Sequence, residues 1–133
     1  MVDTVALLKA LADETRLRIV SLLLEADDLC ACEIEAVLEV NQSNLSRHLA
    51  RLRVAGLITA RRSGHWMHHT VAELPRALAD ALRGIACSAR AESPALQTDL
   101  ARLTDYRTSG HTCTTIREWL HTLDESDGRD RTS

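Results

Sequence analysis

One change of period, at Gly56, constrains the fold of this chain more than any other feature. Before it, Leu45, Leu49 and Leu52 recur at helical spacing through Gln42–Ala55. After it, Leu57–Arg62 and His65–Val71 follow the two-residue period of strands around the turn Ser63-Gly64. Gly56 stands where a helix commonly stops on a left-handed residue. Upstream, a helix from about Cys30 to Val40 turns Ile34, Val37 and Leu38 inward and is parted from the next only by Asn41. Two helices on a very short turn, then a β-hairpin, describe a winged helix-turn-helix, whose second helix is shaped for the major groove of DNA.

The flanking segments read as helices. Asp3 or Thr4 caps a first, carrying Leu7, Leu8 and Leu11. Asp13 caps a second, about Glu14 to Glu25, with Leu17, Val20 and Leu24 on its stripe, and Asp27-Asp28 breaks it. Past the hairpin, Pro75 suits the first position of a helix over Leu74–Arg90, with Leu78, Leu82 and Ile85 on one face. Ser93-Pro94 opens another, with Leu96, Leu100 and Leu103. A polar break near Thr108–Gly110 precedes a last weak helix, roughly Thr114–Leu123. The expected fold is mainly α with a small β-hairpin, a winged helix-turn-helix with additional C-terminal helices. The expected division is 1–92 for DNA binding and dimerisation, 93–125 as a helical extension, and 126–133 as a disordered tail. The extension either widens a dimer interface or folds back on the core, with Tyr106 and Trp119 as packing residues.

With no Phe, two Trp and one Tyr, the core must be aliphatic and chiefly leucine. The longest apolar stretch, Ile19–Leu24, is interrupted by Ser21 and is far too short to span a bilayer, and Asp3 and Lys9 break any leader-like run. A cytoplasmic protein with no membrane partner is expected. Its four cysteines then read as free thiols, ligands or sensors rather than a disulfide framework. No glycine-rich phosphate loop or nucleophile elbow occurs, so an enzyme is not expected.

The formal net charge of −3 argues against a nucleic-acid partner until its distribution is read. Asn41–Ala72 contains no Asp or Glu and five arginines: Arg47, Arg51, Arg53, Arg61 and Arg62. The remaining residues hold eleven Lys and Arg against nineteen acids. A basic surface on an acidic body is the footprint of a module that meets phosphates with one face. With Leu45 inward, about 100° per residue places Ser43, Arg47 and Arg51 on the opposite face. Asn44 lies on one flank, Gln42 and Ser46 on the other, and His48 closer to the core. Short hydrogen-bonding side chains near the helix start suit base edges, and arginines further along suit phosphates. Arg61 and Arg62 lead into the hairpin tip, within reach of phosphates or the minor groove. Alternation sets His65 and His69 with Met67 on one face and His68 with Trp66 on the other, so the three histidines do not converge on one ion. Trp66 reads as a half-buried anchor.

Leu8-Lys9-Ala10-Leu11-Ala12-Asp13-Glu14-Thr15-Arg16-Leu17-Arg18-Ile19 resembles the opening signature of the ArsR/SmtB family of metalloregulatory repressors. Gln42-Ser43-Asn44-Leu45-Ser46-Arg47-His48-Leu49, Leu52-Arg53 and Ala55-Gly56-Leu57-Ile58 are similar to its recognition helix and wing entry. Arg62-Ser63-Gly64-His65-Trp66-Met67-His68 resembles its wing. The resemblance covers roughly residues 5–72. It implies a homodimer joined through its terminal helices, bound to double-stranded operator DNA with an inverted repeat and released by an inducer.

Leu29-Cys30-Ala31-Cys32-Glu33-Ile34 resembles the family's Cys-x-Cys effector box. Residues i and i+2 of a regular helix point about 200° apart, but a Cys30 still in extended chain and a Cys32 in the first helical turn can converge. The helix N-terminus would favour their thiolates. The plainer alternative is two buried small hydrophobes. Two sulfurs do not complete a site. Trivalent arsenite or antimonite wants a third, and cadmium, lead or zinc takes three or four ligands. Some arsenic-responsive relatives carry a third Cys three residues beyond the pair, where this chain has Glu35; Cys113 or Cys87 remains as the third thiol, approaching across the dimer, with Cys113, beside His111 in a polar stretch, the better candidate. A SmtB-like zinc site early in the fifth helix is not expected, since Glu73-Leu74-Pro75 stands there and no His follows before His111. Arsenite-type induction is therefore the leading expectation, with cadmium, lead or zinc, or oxidation of the thiols, as the alternative.

Overall fold

The computed structural model describes residues 3–123. Helix α1 (Thr4–Leu11) starts where Asp3 Oδ1 accepts from the Val5 and Ala6 amides, and α2 (Glu14–Ala26) where Asp13 Oδ1 accepts from the Arg16 amide. Ile19, Val20, Leu22 and Leu23 are all essentially inaccessible, so α2 is buried over more of its circumference than one stripe, and Leu17 and Leu24 are only partly covered. On α1, Leu7, Ala10 and Leu11 are buried, but Leu8, expected to be part of that stripe, is 52% exposed.

A two-residue strand β1 (Leu29–Cys30) follows, then α3 (Ala31–Leu38), which stops two residues before the expected Val40 because Glu39 turns left-handed at φ 57°. Helix α4 (Gln42–Val54) is capped by Asn41 Oδ1, which accepts from the Asn44 amide at 2.9 Å, and buries Leu45, Leu49 and Leu52. Strands β2 (Ile58–Ser63) and β3 (Trp66–Val71) pair antiparallel, with Ser63 opposite Trp66. The connecting residues are thus Gly64-His65, one later than expected; Gly64 supplies the positive φ (61°) at the first loop position that a tight hairpin demands. The sheet has three strands rather than two, in the order β1-β3-β2, with Leu29 opposite His69 and Cys30 opposite His68.

Pro75 sits just before α5 (Arg76–Glu92) rather than inside it. Leu82 and Ala86, an i, i+4 pair, set its buried face, which leaves Ile85, expected inward, 41% exposed. Helix α6 (Pro94–Ser109) starts on a Ser93 cap, and a last helical stretch spans 116–123, two residues later than expected at its start. Leu103, Tyr106, Ile116 and Trp119 belong to the same hydrophobic cluster as the leucines of α1–α4, so the C-terminal segment folds back on the core.

Arginines fasten it there. Arg18 donates twice to the buried Asp99 carboxylate, at 2.9 and 2.8 Å, and once to Leu38 O. Arg102 donates to Val37 O and Ala36 O, and Arg107 to Ala26 O. The carbonyls served are those that the ends of α2 and α3 leave without helical partners.

Candidate functional site

Two features stand out, a thiol cluster and a basic face. Cys30 is the last extended residue before α3 (φ −81°, ψ 162°), and Cys32 lies in the helix's first turn. Their Sγ atoms are 2.9 Å apart. Cys113 arrives from the turn between α6 and the last helix, and the three Sγ atoms all lie within 4.8 Å of one another. Cys87 is exposed on α5 and is not in the cluster.

Beneath the sulfurs lies a carboxylate that the sequence reading passed over. Glu33 Oε1 accepts from the Cys30 amide at 3.0 Å, and Glu33 Oε2 accepts from the Tyr106 hydroxyl at 2.6 Å. An acid three residues after a helix cap is a capping-box signature, which was the available signal. Burial pushes the Glu33 carboxyl up, but the bonds from Tyr106, the Cys30 amide and the neighbouring thiols outweigh it and hold the group below its ordinary value. Burial and then the Glu33 bond push the Tyr106 hydroxyl up. Burial also raises the Cys30 thiol, and raises Cys113 to about 12. The expectation that the helix N-terminus would favour the thiolate is thus corrected for Cys30. Desolvation beside a carboxylate wins, and an incoming ion must displace the protons of both thiols. A cleft of about 590 Å³ lined by Cys32, Glu35, Val40, Gln42, Ile116 and Leu120 reaches this corner from solvent.

On the basic face, Gln42, Ser43, Ser46, Arg47 and Arg51 of α4 are exposed and Asn44 is partly so, its Oδ1 accepting from Arg47. His48 turns the other way: its Nδ1 lies 3.4 Å from Arg16 and 3.9 Å from Asp13, and it braces α4 against the start of α2. Arg62 is exposed, while Arg61 reaches Asp28 at 3.2 Å. Asp28 Oδ1 also lies 2.9 Å from His68 Nδ1, so the residue before β1 grips both wing strands. His69 is buried, with its Nδ1 unpartnered among the described residues. Trp66, expected to be half-buried, is 38% exposed beside the wing turn.

Two helices joined by the three residues Glu39–Asn41, a basic second helix and a three-stranded wing define the winged helix-turn-helix class of DNA-binding regulators. Residues 13–60 match the profile described as "Bacterial regulatory protein, arsR family". The arsenic resistance transcriptional regulator ArsR1 of Pseudomonas putida is 41% identical over 78 residues, covering 58% of this chain and 61% of that protein. The arsenical resistance operon repressor of Escherichia coli is 49% identical over 65 residues, covering 49% of this chain and 56% of that one. The chain therefore spans less than two thirds of the length of these two relatives. HlyU of Vibrio cholerae, a transcriptional activator, is 38% identical over 86 residues, covering 64% of this chain and 79% of HlyU. The solved structure of reduced HlyU superposes with a TM-score of 0.55, at 33% identity over 65% of this chain and 84% of that one. The chain belongs to the arsR family of bacterial regulatory proteins. Among the described residues, no helix is long and apolar enough to cross a membrane.

Proposed function

We propose that this chain is a homodimeric transcriptional repressor that binds double-stranded operator DNA and is released when Cys30, Cys32 and Cys113 take up a thiophilic ion, arsenite or antimonite before cadmium, lead or zinc. The observation that carries the inducer is the meeting of three sulfurs, from two distant segments, within 4.8 Å. The donor set fits a three-coordinate soft ion: it is all sulfur, and no fourth Cys, His or acid joins it among the described residues. Exchanging three As–O bonds for three As–S bonds releases three waters, each carrying off a thiol proton.

The chain's own part is to hold the sulfurs on the first helix of the helix-turn-helix. Operator binding by Gln42, Ser43, Asn44, Ser46, Arg47 and Arg51, with Arg61 and Arg62 on the wing, needs two α4 helices about 34 Å apart across a dimer. His48 supports that face from behind. Val5 and Leu8 on α1 and Ile85 on α5 are apolar and uncovered, which supports a second copy docking there. A shift at α3 that misplaces α4 in each protomer need be worth only about 1–3 kcal/mol to change occupancy 5–150-fold. A reducing cytoplasm would keep the thiols free.

The test is operator release by arsenite, followed by fluorescence anisotropy, for the parent and for Cys30→Ser, Cys32→Ser and Cys113→Ser. Each substitution should blunt release and leave ion-free operator binding intact, and equal release by all four proteins refutes the site. The same closeness of the thiols supports oxidation as the second reading; release by peroxide but not by arsenite would select it.

A further inference from the structure

We propose that Glu33 and Tyr106 are positioning residues of the thiol centre, holding the C-terminal segment against α3 so that Cys113 meets Cys30 and Cys32. The proposal rests on the three-thiol reading above and adds what sets the sulfur count. Cys30 and Cys32 are placed by local structure alone, the last extended residue and the first helical turn. Cys113 has no such guarantee. Its turn is shaped locally, with Thr115 Oγ1 accepting from the Thr112 amide at 2.9 Å and lying 3.1 Å from His111 Nδ1. Those bonds fix the form of the turn and not its place on α3.

What crosses to α3 beside the sulfurs is the Tyr106 hydroxyl. It donates to one Glu33 oxygen while the other oxygen accepts the Cys30 amide, so a single carboxylate joins a ligand residue to the segment that delivers the third sulfur. A hydrogen bond to an ionised acceptor is about twice as strong as a neutral one. Tyr106 also meets the far side of the turn: its ring packs edge-on against Trp119, centroids 5.2 Å apart, and Trp119 lies in the helix that follows Cys113. The arginine clamps act further off: Arg102 and Arg18 grip the opposite end of α3, at Ala36, Val37 and Leu38, and Arg102 lies over the Trp119 ring at 5.4 Å, away from the sulfurs.

Tyr106→Phe keeps the ring and its packing and removes only the hydroxyl. Glu33→Gln keeps an acceptor for the Cys30 amide and weakens the partner of Tyr106. In ion-free, reduced protein, Cys113 of Tyr106→Phe should react with iodoacetamide several-fold faster than in the parent, with exposed Cys87 unchanged as the internal reference and thermal unfolding close to the parent's. With arsenite, X-ray absorption should count three As–S bonds in the parent and nearer two in Tyr106→Phe. The arsenite concentration for half-release of operator should rise about 10–100-fold. Glu33→Gln should fall between the two. Adding Cys113→Ser to Tyr106→Phe should cause no loss beyond that of Cys113→Ser alone, since both act through one sulfur. Parent-like Cys113 reactivity with three sulfurs retained in Tyr106→Phe, or fully additive losses in the double variant, would overturn the proposal. Fewer than three sulfurs in the parent would overturn the three-thiol reading instead, and the alkylation comparison would then decide the positioning claim by itself.

Discussion

The thiol corner and the α4–wing face are built on opposite plans. The corner is assembled from residues far apart in the chain, most of them buried or half-buried, and its polar atoms are bonded to one another across α3, α6 and the turn at Cys113. The α4–wing face comes from one contiguous segment, Asn41–Ala72, and its arginines project outward with few internal partners. The contrast separates two demands. A site for a soft ion needs its donors fixed in advance, whereas a surface for a polyanion needs its charges free to meet phosphates. Substitutions in the first region should therefore act on stability and ligand geometry, and those of the exposed arginines in the second on DNA affinity alone.

The largest effect should come from Asp99→Ala, which strands the Arg18 guanidinium and loosens α6. Loss of one partner of a buried pair costs about 3–5 kcal/mol, read as a lower urea midpoint. A change below about 1 kcal/mol would mean that the C-terminal segment is not part of the core and would erase the contrast. Next, Arg51→Ala should leave the melting temperature nearly unchanged, because the side chain is exposed. It should weaken operator binding about tenfold and lower the slope of log K against log salt by about 0.9, one phosphate contact fewer. An unchanged slope would remove Arg51 from the face. Gly64→Ala, at φ 61° with open space around the added carbon, should cost about 1 kcal/mol through the backbone alone and leave Cys113 alkylation untouched.

The smallest effect is a pH dependence centred on His69. Burial, then the charge of Arg53, lowers its pKa, with Asp28 opposing. Above the unfolded value of about 6.5 both states are neutral and the group contributes nothing. As pH falls below that, the unfolded chain gains a proton that the folded one refuses, so stability declines toward the folded pKa. Urea titrations between pH 8 and 5.5 should show this decline in the parent and a flatter profile in His69→Leu. Equal slopes would mean that the imidazole is solvated. The carboxylates Asp13 and Glu33, whose folded values are lowered, act further into acid, where their stabilisation is lost in turn.

How much of this was legible in the sequence follows the same division. The helix-turn-helix and hairpin could be read because each lies within a few residues of its own caps, stripes and turns, and Asn41, Gly56 and the alternation of β3 are local signals. Strand β1 could not, since two residues carry no period and exist as a strand only because β3 lies beside them. Leu8 and Ile85 were placed inward by spacing, but spacing does not tell which edge of a stripe meets the core, and on α5 Ala86 takes that position. The closeness of Cys30 to Cys32 could be anticipated from the junction of extended chain and helix. The polar stretch at His111 favoured Cys113 over Cys87, but its arrival at Cys30 within one chain could not be read, because it depends on α6 folding back, and Tyr106 showed no sign in sequence of a hydroxyl task beyond packing.

The short strand at Leu29–Cys30 has a bearing on any attempt to re-engineer the protein. Cys30 stands opposite His68 on the wing, and Asp28 beside it holds His68 and Arg61. If Cys30 takes up the inducer as proposed, operator recognition and inducer response are not separable cassettes. A chimaera that imports a foreign wing without Asp28, Leu29 and Cys30 would break the rung that Cys30 itself supplies.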